Sequence, residues 1–355
     1  MSLIIPQATF FLFGAGARRK LLYRAGRLLD ALTGEVLFAQ EATQEVVDAP
    51  AYTVRFTTSD EKPAVIREDE RGVWLDYDGE THCLTAAPVH LPMFEGHPYA
   101  QTLRVLHHEI LVNVMPHGPV PNFLVYPKPW HRDAAMTAMV FQRTGNLPLI
   151  HEWIAELRTP FDGNNGGQCE PDNLGQALYL ISLVSDRSHP LIADILAAIP
   201  SFVRDDHGRG SYICGATDFA EHPVYQTQWL KFGLRALGLD DPFVTPWLED
   251  SYATLCWWAE HADYIGRPKG YHTNAEYYPY LAWAEAHFFK TIPDSLYQAP
   301  LHLTGRNYPL TWEAHASQAY YGGMRLVDEA FVAQQLCAPH SWHAAEMFLY
   351  LHDLS

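Results

Sequence analysis

The run PKPWHRDAAMTAMVF, Pro127 to Phe141, reads as the mouth and first turns of a helix. Trp130, Arg132 and Asp133 stand within four positions at its start, and apolar residues follow at helical spacing. Similar stretches recur on both sides of it. YAQTLRVLHHEILVNV precedes it, and PLIHEWIAEL, DNLGQALYLISLVSD, PLIADILAAIPSFV and VYQTQWLKFGLRALG follow. FVTPWLEDSYATLCWWAEH, AEYYPYLAWAEAHFF, a segment around EAHASQAYYGGMRLVDEAFV and SWHAAEMFLYLHD complete a set of ten. Gly, Pro or Asn punctuates most of the intervals.

Ten helices in series predict a mainly α fold over residues 96–355, in which helical hairpins close into an (α/α) six-hairpin toroid. A complete ring takes twelve helices, so the pattern fits either a ring with one further pair or an abbreviated one. No strict internal repeat is visible, which argues against a regular solenoid. Residues 1–95 differ in character and predict a small β-rich region. RKLLY and RLLDAL flank the turn-like Ala25-Gly26, and Thr33-Gly34 leads into EVLFA. YTVRFTT, AVIRE and GVWLDYD follow as further strands. The Leu spacing from Arg18 to Leu32 also fits a short amphipathic helix, but the turn favours strands.

The chain has 355 residues, enough to bury a substantial core, with 48% hydrophobic and 18% charged residues. A formal charge of −17 argues against nucleic acid or anionic membrane as the main partner, because both reward clustered Lys and Arg. The five Cys are scattered and no C-x-x-C occurs, so neither a disulfide framework nor a zinc knuckle is expected. The apolar start MSLIIPQATFFLFG lacks a basic leader and a cleavage site, and no run is long enough to span a bilayer, so a cytoplasmic location is expected.

Four segments carry side chains fit for chemistry. In the first, Trp130 offers an apolar face, Arg132 a planar fork of donors and Asp133 two acceptor oxygens. A sugar ring wants all three, having one apolar C–H face and a rim of hydroxyls, although a capping Asp beside a packed Trp would look the same. In the second, DGNNGGQCEPDNLGQALYLI, a polar loop leads to Glu170, Asp172 and Gln176 at a helix start, where helix capping is the plain alternative. The third, GATDFAEHPVYQTQWLKFG, puts Asp218 and Glu221 ahead of a helix holding Gln226, Gln228 and Trp229. The fourth, APHSWHAAEMFLYL, sets Glu346 one turn into an apolar helix, with Trp342 at i−4 and His343 between them. His340, His343 and Glu346 also invite a metal reading, but successive steps of three drift round the helix and no H-E-x-x-H is present, so no metal is expected. No G-x-S-x-G occurs, which sets a serine hydrolase aside.

Taken in order, these segments make the chain resemble the six-hairpin (α/α)-barrel glycosidases, most closely the glucoamylase and glucodextranase group. Trp130, Arg132 and Asp133 are similar to that family's W-x-R-D segment. Glu170-Pro-Asp172-Asn-Leu-Gly175-Gln176 is similar to its Q-x-D-x-x-G segment. Trp342-His343-Ala344-Ala345-Glu346 is similar to its W-S-H-A-E, whose Glu is the catalytic base. The resemblance spans Pro127 to Leu351 through these short stretches. It implies hydrolysis of a small oligosaccharide or glycoside without a cofactor, by an inverting pair of carboxyls roughly 6.5–9.5 Å apart. Glu346 is then the base. Glu221 is placed slightly ahead of Asp172 as the acid, while Trp130, Arg132, Asp133, Glu170, Gln176, Trp342 and His343 bind the sugar. Rival expectations are a sugar epimerase working through His315, His340 and His343, a carbohydrate lyase, and a non-catalytic carbohydrate-binding protein.

Overall fold

The computed structural model describes residues 9–246, 248, 308–315 and 319–352. The chain forms two compact units, one of Met1–Lys128, Met139–Leu149 and His302–Ser355, the other of Pro129–Ala138 and Ile150–Leu301.

In the first unit, strands β1 (Phe10–Phe13), β2 (Leu21–Arg24), β3 (Arg27–Asp30) and β4 (Val36–Ala39) form an antiparallel meander. The strands expected on either side of Ala25-Gly26 are β2 and β3. Arg24 pairs with Arg27, and both loop residues take positive φ, which the two-residue hairpin turn requires. A second meander runs through β5 (Ala42–Asp48), β6 (Thr53–Thr58), β7 (Pro63–Glu68), β8 (Gly72–Tyr77) and β9 (Glu80–Ala86). Alternation along β7 buries Ala64 and Ile66 and, by the same period, Glu68. That buried carboxylate pairs with Arg18 at 2.8 Å and with His108 Nε2 at 2.8 Å, and it accepts the Ala15 amide at 2.7 Å. Burial alone would raise its pKa, but the His108 hydrogen bond and the charges of His108 and Arg18 hold it down to about 2. His108 lies on α1 (Ala100–Leu111), which packs against the C-terminal helix Ser341–His352 of the same unit and is followed by a short ribbon of β10 (Val114–Met115) with β11 (Gly118–Pro119).

The second unit takes the first turns of α2 (His131–Thr144), then α3 (His151–Ala155), α4 (Asp172–Ser182), α5 (Leu191–Ala198) and α6 (Pro223–Ala236). Between α5 and α6 lie two short ribbons, β12 (Val203–Asp205) with β13 (Ser211–Ile213), and β14 (Ala216–Thr217) with β15 (Ala220–Glu221). Helices α4 and α6 touch backbone to backbone. A Cβ on Gly175 would lie 2.1 Å from the Trp229 carbonyl, and one on Gly233 would lie 2.3 Å from the Gly175 oxygen. Only glycine permits that approach, and it brings the start of α4 beside the start of α6.

The expected mainly α toroid, complete or abbreviated, is not what the chain forms. The fold is mixed, with seventeen strands in six antiparallel sheets and eight α-helices among the described residues. Six of the ten expected helices are present as α1 to α6, although PLIHEWIAEL supplies only the five residues of α3. SWHAAEMFLYLHD forms Ser341–His352, numbered α8 below. The segment around EAHASQAYYGGMRLVDEAFV instead holds strand Glu313–Ala314, a 3-10 turn Tyr321–Leu326 and the five-residue α7 (Glu329–Ala333). AEYYPYLAWAEAHFF lies outside the described residues, as does most of FVTPWLEDSYATLCWWAEH, of which only 243–246 and 248 are described. The physical reason for the miscount is length. Ribbons of two or three residues are too short to carry a periodicity that separates them from loops. Among the described residues no helix is long and apolar enough to cross a membrane.

Candidate functional site

The start of α2 is fixed from outside. The Asp162 carboxylate accepts the His131 backbone N–H at 2.9 Å and that of Asn164 at 3.0 Å, so it satisfies a helix N-terminus that the local sequence leaves open. Asn164 Nδ2 donates to the Pro129 carbonyl at 2.7 Å. The loop that follows turns on Gly166 and Gly167, both at positive φ, with Gly167 N–H bonded to the Gly163 oxygen at 3.0 Å. This turn buries Asn165, whose Nδ2 donates to Glu170 Oε1 at 2.8 Å and to Asp218 Oδ1 at 2.6 Å.

Asp218 comes from the tip of the β14–β15 ribbon. It forms an ion pair with Arg132, in which Nη2 donates to Oδ1 at 3.3 Å and Nη1 lies 2.9 Å from Oδ2. The guanidinium also lies 5.5 Å from the Trp130 ring centre, so Trp130 has a cation over one face. Asp133 is buried in the same first turn of α2.

Glu170 and Asp172 are buried two positions apart, and neither caps α4 as the sequence allowed. The Asp172 carboxylate accepts Thr217 Oγ1 at 2.6 Å and Gln176 Nε2 at 2.9 Å. Gln226 of α6 holds Thr217 in turn, at 2.9 Å. Glu170 Oε1 accepts two N–H groups, from Asn165 and from the Asp218 backbone at 2.7 Å, while Oε2 has no hydrogen-bond partner among the described residues. Burial pushes the Glu170 pKa up to about 8, and the Asp172 charge pushes the same way against the pull of Arg132. Burial raises the Asp172 carboxyl too. Burial thus favours the neutral form of Glu170, and Oε2 is its oxygen without a hydrogen-bond partner among the described residues.

Five of the expected site residues, Trp130, Arg132, Glu170, Asp172 and Gln176, thus meet in the second unit, and Asp133 is buried next to Arg132 in the sequence of α2. Glu221 does not join them. In the ribbon it pairs with Ala216, while Thr217 pairs with Ala220. Cross-strand partners share a face, so the face carrying Thr217 turns to Asp172 and Glu221 stands exposed on the other. Asn165, Thr217, Asp218 and Gln226 complete the cluster; Asp218 and Gln226 stand in the third candidate segment of the sequence, with no role assigned to them there.

The other expected residues lie in the first unit on α8, where Trp342, His343 and Glu346 are buried. Next to them, His340 Nε2 lies 3.0 Å from Glu313 Oε2, and that oxygen also accepts Tyr126 Oη–H at 3.1 Å. The His340 and His343 rings stack 4.3 Å apart. His343 Nδ1 donates to the Trp312 carbonyl at 2.8 Å, which fixes the proton on that nitrogen. His315 is exposed and bonds Gln335 instead. Among the described residues no three His, Cys, Asp or Glu side chains converge as a metal-ligand set. In comparisons with known proteins, no family model, no curated protein and no solved structure gives a significant match to the chain.

Proposed function

We propose that the protein is a glycoside hydrolase in which Glu170 is the general acid. The observation that carries this reading is the split use of one carboxyl. Two N–H donors anchor Oε1, and Oε2 holds a proton to about pH 8 with no protein partner among the described residues. A group so placed donates to a leaving oxygen at neutral pH. Arg132 and Asp218 pair with each other beside it, and Trp130 adds an aromatic ring, a combination that suits a ring with hydroxyls on its rim. Glu346 keeps the base role on the strength of the Trp342-His343-Ala344-Ala345-Glu346 pattern, and it is tested separately. The five scattered cysteines, without a disulfide framework, support a cytoplasmic location.

The test is release of reducing ends from a panel of short oligosaccharides. Glu170→Gln is expected to lower kcat by roughly 10²–10⁴-fold while substrate still binds. Wild-type turnover in that variant would remove Glu170 from the reaction. Glu346→Gln is expected to abolish turnover with binding nearly intact, and retention of activity would refute the base assignment. A second reading, sugar epimerisation, is favoured by the stacked, buried His340–His343 pair with Glu313 on His340. Exchange of a free monosaccharide's C–H with solvent deuterium, without new reducing ends, would select it.

A further inference from the structure

The β14–β15 ribbon closes with two residues, Asp218 and Phe219, at φ 48° and φ 67°. Both stand in the left-handed region, which side chains other than Gly, Asn and Asp rarely adopt. A two-residue turn of this kind favours Asn-Gly or Asp-Gly. Here the first position has the expected Asp, and the second has a phenylalanine.

The cluster accounts for Asp218. Its amide binds Glu170 Oε1 at 2.7 Å and its carboxylate binds Arg132, while the adjoining Thr217 binds Asp172. Those bonds over-determine the turn, so strain at its tip can persist. They do not account for the Phe219 ring. It is 50% exposed and makes no ring contact among the described residues. A glycine would suit the backbone better, and a polar residue would suit the solvent better. The turn therefore holds a large apolar face in solvent, one residue along the chain from the amide that anchors the proposed acid.

We propose that Phe219 is a stacking platform for a pyranose ring of the substrate, next to the bond that Glu170 protonates. This rests on the hydrolase reading for the word substrate, but the platform itself needs only that a sugar binds. The C–H face of a pyranose covers an aromatic ring, and its hydroxyls then face the charged and amide groups of the cluster.

The experiment compares Phe219→Gly and Phe219→Trp with wild type, by titration calorimetry with the same oligosaccharides, by kinetics and by thermal unfolding. Phe219→Gly relieves the left-handed strain, so its Tm is expected to rise while oligosaccharide affinity falls about tenfold or more. The loss should fall on KM more than on kcat. Phe219→Trp, which keeps an aromatic face, is expected to bind as wild type does. A packing role predicts the reverse pattern, a lower Tm for Phe219→Gly with unchanged affinity in whatever folds, and that result overturns the proposal. Equal affinity in Phe219→Gly and wild type overturns it as well, as does a wild type that binds no oligosaccharide at all. If wild type binds oligosaccharides but never cleaves them, and Phe219→Gly still loses affinity, the platform stands and the hydrolase reading falls.

Discussion

Glu170 shows how one side chain takes its chemistry from groups far away in sequence. Beside Pro171 and Asp172 it resembles a first-turn acid suited to a helix dipole. Its proton affinity comes instead from burial and from Asp172, and its orientation comes from an amide 48 positions later. Loss of that proton should therefore mark the pH profile. With the general acid's pKa at about 8, kcat/KM is expected to fall as pH rises through about 8, and the alkaline limb should vanish in Glu170→Gln; rate measurements from pH 6 to 10 test this. Glu109 of α1 obeys the same rule without any proposed catalytic task. Burial raises it to about 8, although it accepts the Leu310 amide at 2.5 Å and Thr311 Oγ1 at 2.5 Å. A raised carboxyl binds its proton more tightly in the folded chain, so its contribution is full below about 4.5 and is lost as pH rises toward about 8. Glu109→Gln should thus gain stability relative to wild type across that window, as read from urea midpoints at a series of pH values.

Among the elements, the α4–α6 contact and the β14–β15 ribbon place the cluster. The contact was half legible: Gly175 was visible within the Glu170–Gln176 segment, but nothing local said that Trp229 would lie against it. Gly175→Ala is expected to destabilise the fold by about 1–3 kcal/mol, since the clash is with backbone and not with a side chain that can swing aside. Activity should fall with it, because Asp172 and Gln176 flank that glycine on α4. The ribbon was not legible at all. Each of its strands has two residues, which is too short for alternation to show, yet its register decides that Thr217 faces Asp172 and Glu221 faces solvent. Glu221→Gln is accordingly expected to leave kcat near the wild-type value in the reducing-end assay, and a loss of 10²-fold would return the acid role to Glu221.

At the scale of the molecule, acid sensitivity should be governed by the first unit. Glu68 joins β7, the Gly14–Arg18 turn and α1 through one buried carboxylate. Its folded pKa, about 2, lies below the ordinary 4.5, so its stabilisation is present above about 4.5 and is lost as pH falls toward 2. That interval corresponds to roughly 3 kcal/mol. His107 acts in the same direction, since burial lowers it to about 3 and the unfolded chain takes up its proton first. Stability should therefore begin to fall below about pH 6.5, drop most steeply between about 4.5 and 3 where both groups act, and level off near 2. In Glu68→Gln the drop should be shallower from a lower starting point, as followed by circular dichroism on acid titration.

What the sequence determined by itself was local. Alternation and the Ala25-Gly26 turn specified β2 and β3, and apolar spacing specified α1, α2, α4, α5, α6 and α8, because those patterns are complete within a dozen residues. It also carried the identity of the polar groups now gathered in the second unit, from Trp130 to Gln176. Only the tertiary structure decided that short ribbons and two meanders make the fold mixed, that Asn165 and Asp218 join the cluster, and that Glu170 is buried while Glu221 stands exposed. Those outcomes depend on burial and on pairings 45 to 53 residues apart, and desolvation of a carboxyl is a property of everything packed around it.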